Sequence, residues 1–346
     1  MVSEKKDIRA LSKEELRDFF VSIGDKAFRG NQVYEWLWSK GTHSFEDMTN
    51  ISKETRDHLE QNFVINHIEV DSIQKSNDGT IKNAVKLHDG FIVESVLIPT
   101  KSRTTACVSS QVGCSLDCKF CATSRLKRMR NLNPDEIFDQ VVAIHKESML
   151  YHDKPLSNIV FMGMGEPLMN YKNVLESIKM ITSEEGLGMS PKRITISTSG
   201  VPKMIKKLAD DDVKFNLAVS LHSAIQETRE QIMPFAKSFT LTDLHESLEY
   251  WYEKTKRRIT YEYIVWKDIN DTEKDVDALV DYCKSVPCKI NLIEYNPIDD
   301  GEFQQATNSA IDMYIEKLEK NRIPVTVRRS RGKDIDAACG QLANKS

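Results

Sequence analysis

The sequence contains no apolar run long enough to span a membrane, so an embedded fold is not expected and no membrane partner is invoked. It opens MVSEKKDIRALSKEELRDFF, too charged to hold the apolar centre of a secretory signal, and a cytoplasmic location is the expectation. No low-complexity segment is present, and nothing repeats beyond a strand–helix unit, which excludes disordered tracts and solenoid arrays. Positive charge is not in excess: 48 Lys and Arg stand against 52 Asp and Glu, a net charge of −4. Any nucleic-acid partner must be met by local basic patches. Cysteine is scarce, seven in 346 residues, and bunched, which argues for metal or redox chemistry over a disulfide framework. What remains is an ordinary soluble composition, 40% hydrophobic and 29% charged, in a chain long enough for one large domain and a smaller one.

The bunched cysteines are Cys114, Cys118 and Cys121, in the stretch CSLDCKFC. Three thiolates can hold three irons of a cubane and leave the fourth open, whereas a fully structural [4Fe–4S] site takes four. The missing ligand leaves room for an exogenous molecule, the feature that separates catalytic from structural metal sites. Gly113 permits a tight turn before the first cysteine, and Phe120 precedes the third. This arrangement resembles the radical S-adenosylmethionine (SAM) superfamily. Two other readings stay open. Offsets of four and seven also place three residues along one helix face, and a structural zinc would need a fourth ligand nearby.

Residues 1–64 read as short helices joined by glycine turns. Ser12 and Glu15 form a capping box before Leu16, Phe19, Phe20 and Ile23, and Gly24 ends that helix. A second helix runs over Phe28–Trp38 and a third from about Ser52 to Phe63. Arg29, Gly30 and Asn31 lie where free N–H groups could hold a phosphate, although an ordinary helix entry is the preferred reading. Residues 65–99 alternate apolar and polar around Asp-Gly turns, a short β linker in which Glu94 reads as an outward-facing acid.

From about residue 104 short apolar runs alternate with helical stretches, which predicts an α/β fold of parallel strands with helices outside. Six strands are expected, near Thr105–Gln111, Ile159–Met162, Arg193–Thr198, Phe215–Leu221, Ile259–Val265 and Lys289–Glu294, forming a partial (β/α)6 barrel. Active sites of such barrels lie at the C-terminal strand ends. The cysteine triplet, the Gly163-Met-Gly165-Glu166-Pro167 turn, Ser197, Ser220, Leu221, His222 and Asn296 all fall there. Singly, each polar residue reads as a satisfied strand end; together they outline a polar pocket.

Cys107 and Cys339 stand outside the triplet, and taken alone both read as core thiols. Cys339, however, sits in a glycine-flanked tail behind the basic run Arg328–Lys333, where cations favour thiolate. A second basic run, Arg125–Arg130, follows the triplet. Two such runs near a barrel mouth favour a polyanionic substrate.

Taken jointly, CVSSQVGCSLDCKFCATS, GMGEPLMN, SLHSA and SRGKDIDAACGQL resemble the RlmN-type dual-specificity RNA methyltransferases, with the Cfr-type enzymes as close relatives. The resemblance covers nearly the whole chain. It implies a helical RNA-contacting domain at 1–64, a β linker at 65–99 and a radical SAM core with a Cys-containing tail at 100–346. It implies that Cys114, Cys118 and Cys121 ligate a [4Fe–4S] cluster, and that Gly165, Glu166, Ser197, Ser220, Leu221, His222 and Asn296 contact SAM. It further implies that Cys339 takes a methyl group from one SAM, and that a second SAM yields the 5′-deoxyadenosyl radical that abstracts hydrogen from it. The carbon then adds to adenine C2, Cys107 releases the adduct by forming a disulfide with Cys339, and Glu94 accepts a proton, in place of the bland reading above. Adenine C2 is electron-poor and does not attack an electrophilic methyl, so a radical route is needed, which the cofactor supplies. The implied partners are large-subunit ribosomal RNA, tRNA at the adenosine 3′ of the anticodon, and a flavodoxin- or ferredoxin-type electron donor acting on a monomer. C8 methylation of the Cfr type is the alternative.

Overall fold

The computed structural model describes residues 5–298 and 302–344; residues 1–4 of the expected helical segment lie outside them. In the N-terminal segment β1 (Lys6–Asp7) pairs in parallel with β2 (Phe63–Val64) and brackets α1 (Lys13–Ser22), α2 (Phe28–Trp38) and α3 (Lys53–Asn62). The Ser12–Glu15 capping box closes both donors at the start of α1, and Ser52 caps α3. Gly30 lies inside the first turn of α2, where a Cβ would stand 2.6 Å from the Arg17 backbone nitrogen. Its lack of a side chain is what lets α1 and α2 touch. Arg9 ties the segment to the next helix, α4 (Pro134–His152), through two 2.7 Å contacts to Asp139, its guanidinium lying over Trp38.

One ten-stranded sheet organises the rest. The antiparallel strands β3 (Glu69–Lys75), β4 (Ile81–Lys86) and β5 (Ile92–Pro99) lead into β6 (Thr104–Cys107), where the direction changes. A two-residue pair, β7 (Gln111–Val112) with β8 (Arg130–Asn131), frames the cysteine loop. Parallel strands follow: β9 (Asn158–Phe161), β10 (Ile194–Thr198), β11 (Asn216–Ser220), β12 (Ile259–Ile264) and β13 (Cys288–Ile293). Between them run α5 (Tyr171–Thr182), α6 (Pro202–Asp210), α7 (Gln226–Ile232), α8 (Leu241–Thr255) and α9 (Glu273–Tyr282).

These are the six units the sequence predicts. A seventh parallel strand, β14 (Val325–Arg328), follows α10 (Asn308–Lys320) and pairs with β13. It was hidden because it is an edge strand with exposed Thr326 and Val327, so it lacks the apolar signature of a strand covered on both faces. The sheet's order is the order of the chain, from β3 at one edge to β14 at the other, and among the described residues no ladder joins those edges. The residues after β14 cross back over the C-terminal strand ends. Arg331 and the Gly332 amide meet Asp78, while Asp334 accepts from Ser76 and Asn77, all in the β3–β4 turn.

Candidate active site

The cysteine loop leaves β7 through Gly113, whose φ is +73° and whose Cβ would sit 2.4 Å from the Lys127 carbonyl oxygen. Cys114, Cys118 and Cys121 then follow an irregular path before a short 3-10 turn at Ala122–Arg125, so the one-helix-face alternative does not apply. All three are free thiols lining one cleft of about 990 Å³, its open mouth included. That is the size range of a cofactor pocket. Burial pushes each thiol up, Cys114 to about 11. Binding a metal cluster would reverse that preference, because the ligand must be a thiolate. The Leu116 amide already points at the Cys114 sulfur, 3.4 Å away. Among the described residues no three His, Cys, Asp or Glu converge tightly enough for a single ion, so the zinc alternative finds no completed site.

Opposite the thiols the strand ends supply polar groups. Gly165 has φ +94°, and a Cβ there would meet the Gln111 side chain at 2.5 Å. Glu166 is buried, and its carboxylate accepts from the Leu168 amide at 3.0 Å and the Ser199 amide at 2.7 Å, joining the ends of β9 and β10. Burial pushes its pKa up, opposed by those amides. Ser197, Ser220 and His222 line the same cleft; Leu221 is packed in the core behind them. His222 adopts φ +59° and accepts from the Ile264 amide at Nδ1, which leaves the proton on Nε2. Its ring packs edge-on against Phe120 and Trp266, and burial, helped by the Arg229 cation, lowers its pKa to about 3. Asn296 donates to the Glu294 and Cys339 carbonyls, while its buried Oδ1 has no protein partner. An unpartnered buried acceptor on a residue lining the thiols' cleft fits a bound cofactor carrying N–H groups.

Cys339 lies in the strap that crosses this cleft. It lines the first cleft and also a second of about 640 Å³, whose walls include Cys107, Val160, Met162, Ile293 and Arg328–Arg331. Its sulfur is exposed to the clefts yet surrounded by protein, and burial pushes its pKa up to about 11; that of Cys107 rises to about 12, Cys339 being one of the causes. Glu94 is not among the residues lining either cleft. It is buried, 3.2 Å from the Lys82 ammonium, and accepts from the amides of Ala343 and Asn344. The structure thus brings together every expected site residue except Leu221 and Glu94.

Two residues escaped the sequence reading. Arg229 is fully buried on α7 and donates to the Ser199 carbonyl at 2.7 Å, fixing the end of β10. Burial lowers its own pKa to about 10. Glu262 is buried on β12, lines the first cleft, and is held by Asn291 at 2.8 Å and Arg328 at 3.2 Å. Arg229 sits in a charged run that reads as a solvated helix face, and nothing local marks it otherwise.

Three thiols after the first parallel strand, facing a polar ring of strand ends, define a radical SAM protein, and residues 108–282 match the Radical SAM superfamily model. Residues 6–65 match the ribosomal RNA large subunit methyltransferase N-terminal domain. Along its full length the chain is 76% identical to a Flavobacterium johnsoniae protein, covering 100% of this chain and 99% of that one, named probable dual-specificity RNA methyltransferase RlmN. A Clostridioides difficile protein of the same name is 41% identical, with 99% of each covered. A radical SAM methyltransferase from Sphaerobacter thermophilus superposes with a TM-score of 0.91 at 33% identity, over 98% of this chain and 100% of that one. The chain therefore belongs to the RlmN family of radical SAM methyltransferases.

Proposed function

We propose that the protein methylates C2 of an adenine in RNA, with large-subunit ribosomal RNA and tRNA as substrates, carrying the transferred carbon on Cys339. The observation that supports this most directly is the position of Cys339 as a free thiol bordering both clefts, with Cys107 on the second alone. A protein that only bound SAM would have no use for a sulfur between its cofactor cleft and another chamber.

Cys114, Cys118 and Cys121 would hold a [4Fe–4S] cluster, and Gly165, Glu166, Ser197, Ser220, His222 and Asn296 would hold SAM, with Leu221 supporting from behind. When bound, cluster and SAM supply one-electron chemistry, with two SAM used per turnover and electrons from a flavodoxin- or ferredoxin-type donor. The chain's residues do the rest. His222 is neutral and offers Nε2–H. Cys339 accepts the methyl group and holds it between the clefts. The second cleft, apolar along Ile98, Val160, Met162 and Ile293 and basic along Arg328–Arg331, suits a flat base leaving its stack with phosphates at the rim. Cys107 then releases the product: its thiolate attacks the Cys339 sulfur, the S–C bond to the transferred carbon breaks as the disulfide forms, and that carbon leaves with the electron pair and takes up a proton, a step suited to a thiol pair that cycles in a reducing cytoplasm. The segment 1–64 would contact RNA, a monomer suffices for every step, and no helix among the described residues is long and apolar enough to cross a membrane.

The test is anaerobic reconstitution with iron, sulfide and SAM, followed by nucleoside analysis of a ribosomal RNA fragment and of tRNA. 2-Methyladenosine is expected; 8-methyladenosine without it would overturn C2 in favour of the Cfr-type alternative.

A further inference from the structure

Two cysteines take no part in the chemistry above, Cys283 and Cys288. Cys283 caps α9, its amide donating to the Leu279 carbonyl at 3.1 Å, and Cys288 is the first residue of β13. The turn Lys284–Pro287 joins them. Both are buried, free thiols. The register sets Cys288 beside Ile259, the first residue of β12. In a parallel sheet that is the end opposite the cysteine triplet and Cys339, and the pair lines neither cleft described above.

Their surroundings are those of reactive thiols. Both line a third cleft of about 850 Å³, its open mouth included, together with Arg258, Lys284 and Arg322. Lys284 also meets Asp281 at 2.6 Å, but among the described residues no acid lines the cleft itself. The two sulfurs are close enough to share a hydrogen bond. That bond, and then the Arg258 cation, hold the Cys288 thiol below its ordinary pKa against the effect of burial, while the same bond and burial push Cys283 up. One proton thus serves two sulfurs, and Cys288 is the one that becomes a thiolate. The Tyr261 hydroxyl is sealed from solvent and has no hydrogen-bond partner, and it lies within electrostatic reach of both sulfurs. A buried donor without an acceptor is costly, and a thiolate is the acceptor this corner can form.

We infer that Cys283 and Cys288 form a redox-active dithiol, a further thiol–disulfide site whose reactant is a small disulfide carrying carboxylates. The Cys288 thiolate attacks one sulfur of that disulfide and expels the other half as a thiolate, leaving a mixed disulfide. Cys283 gives its proton to the expelled thiolate, attacks the Cys288 sulfur and expels the second half, which takes a proton from water. The reactant's S–S bond breaks and a Cys283–Cys288 bond forms. The two electrons lost by the protein reduce the small disulfide to two thiols. The short turn keeps the resolving thiol in reach, and the three cations draw carboxylates into the cleft. Neither RNA nor an iron–sulfur cluster takes part.

Trypsin cuts after Lys274, Lys284 and Lys289, so the reduced protein yields Asp275–Lys284 and Ser285–Lys289 separately and the oxidised protein yields them joined. The full chain, kept anaerobic, is treated with glutathione disulfide, quenched in acid, alkylated and digested without reductant for mass spectrometry. The joined peptides are expected to form at least about tenfold faster than in the chain unfolded in urea, because only the fold gathers the cations around the thiols. Cys283→Ser is expected to stop at a glutathione adduct on Cys288, and Cys288→Ser to leave Cys283 at least about tenfold less reactive. Added salt is expected to slow glutathione disulfide and not the uncharged hydroxyethyl disulfide. A folded protein that reacts no faster than the unfolded chain overturns the site. An adduct on the unmodified protein that never resolves into joined peptides overturns the pairing, and equal salt responses overturn the anionic reactant. Should a variant fail to fold, judged by its thermal transition, the rates of the unmodified protein, folded and in urea, decide.

Discussion

Cys107 and Cys339 open into one cleft as two unbonded thiols, one at the end of the first parallel strand and the other on the strap that crosses the strand ends. Their separation into a fixed partner and a carried partner leads to different consequences when each is removed. Cys339→Ala is expected to abolish methylated nucleoside while reductive cleavage of SAM continues, measured as 5′-deoxyadenosine. Cys107→Ala is expected to stop the reaction with RNA covalently held on Cys339, seen as a protein band that shifts on nuclease digestion. Full methylation by either variant would remove the two-cysteine mechanism.

His222 enters folding as a neutral group. Its folded pKa is depressed to about 3 from 6.5, so the unfolded chain takes up its proton first as acid is added. Its contribution is complete above pH 6.5 and is lost as pH falls through that interval, by about 2 kcal/mol at roughly pH 5. His222→Asn is expected to flatten the dependence of unfolding free energy on pH between about 6.5 and 5, read from urea titrations. An unchanged slope would show that the imidazole is not neutral in the fold.

Glu166 joins two loops with one carboxylate. Glu166→Ala leaves the Leu168 and Ser199 amides without their acceptor, at a cost of about 1–3 kcal/mol for each buried group orphaned. We expect SAM binding to the reconstituted protein to weaken at least about tenfold by calorimetry, with a smaller loss for Glu166→Gln. Equal affinity in all three proteins would confine Glu166 to a structural role.

Gly30 sets the approach of two helices. Adding a methyl group there drives it to 2.6 Å from the Arg17 nitrogen, a backbone atom with little room to give. Gly30→Ala is expected to cost about 1–3 kcal/mol, lowering the thermal midpoint. An unchanged midpoint would mean that α1 and α2 separate freely.

The parts of this molecule legible in sequence are those whose partners lie close along the chain. The triplet spans eight residues, and the β/α alternation repeats locally, so both could be read directly. The capping box at Ser12 is equally local and is present in the structure. What stayed hidden depends on distant residues. Glu94 looks like an exposed acid until the tail, some 250 positions later, brings its amides to it. Arg229 is indistinguishable from a surface arginine until the fold encloses it. The resemblance located Cys107 and Cys339, but their junction of two clefts is a tertiary fact.

The sheet runs in chain order, with its first and last strands as unpaired edges, and this bears on how a bulky RNA reaches the Cys339 sulfur inside its two clefts. A closed barrel would have to break a strand ladder to widen. Here the seam between β3 and β14 is bridged by the contacts of Asp78 and Asp334, side-chain bonds that belong to no strand register. Widening at this seam would cost side-chain contacts and no strand ladder, and the strap that closes it is the segment that carries Cys339.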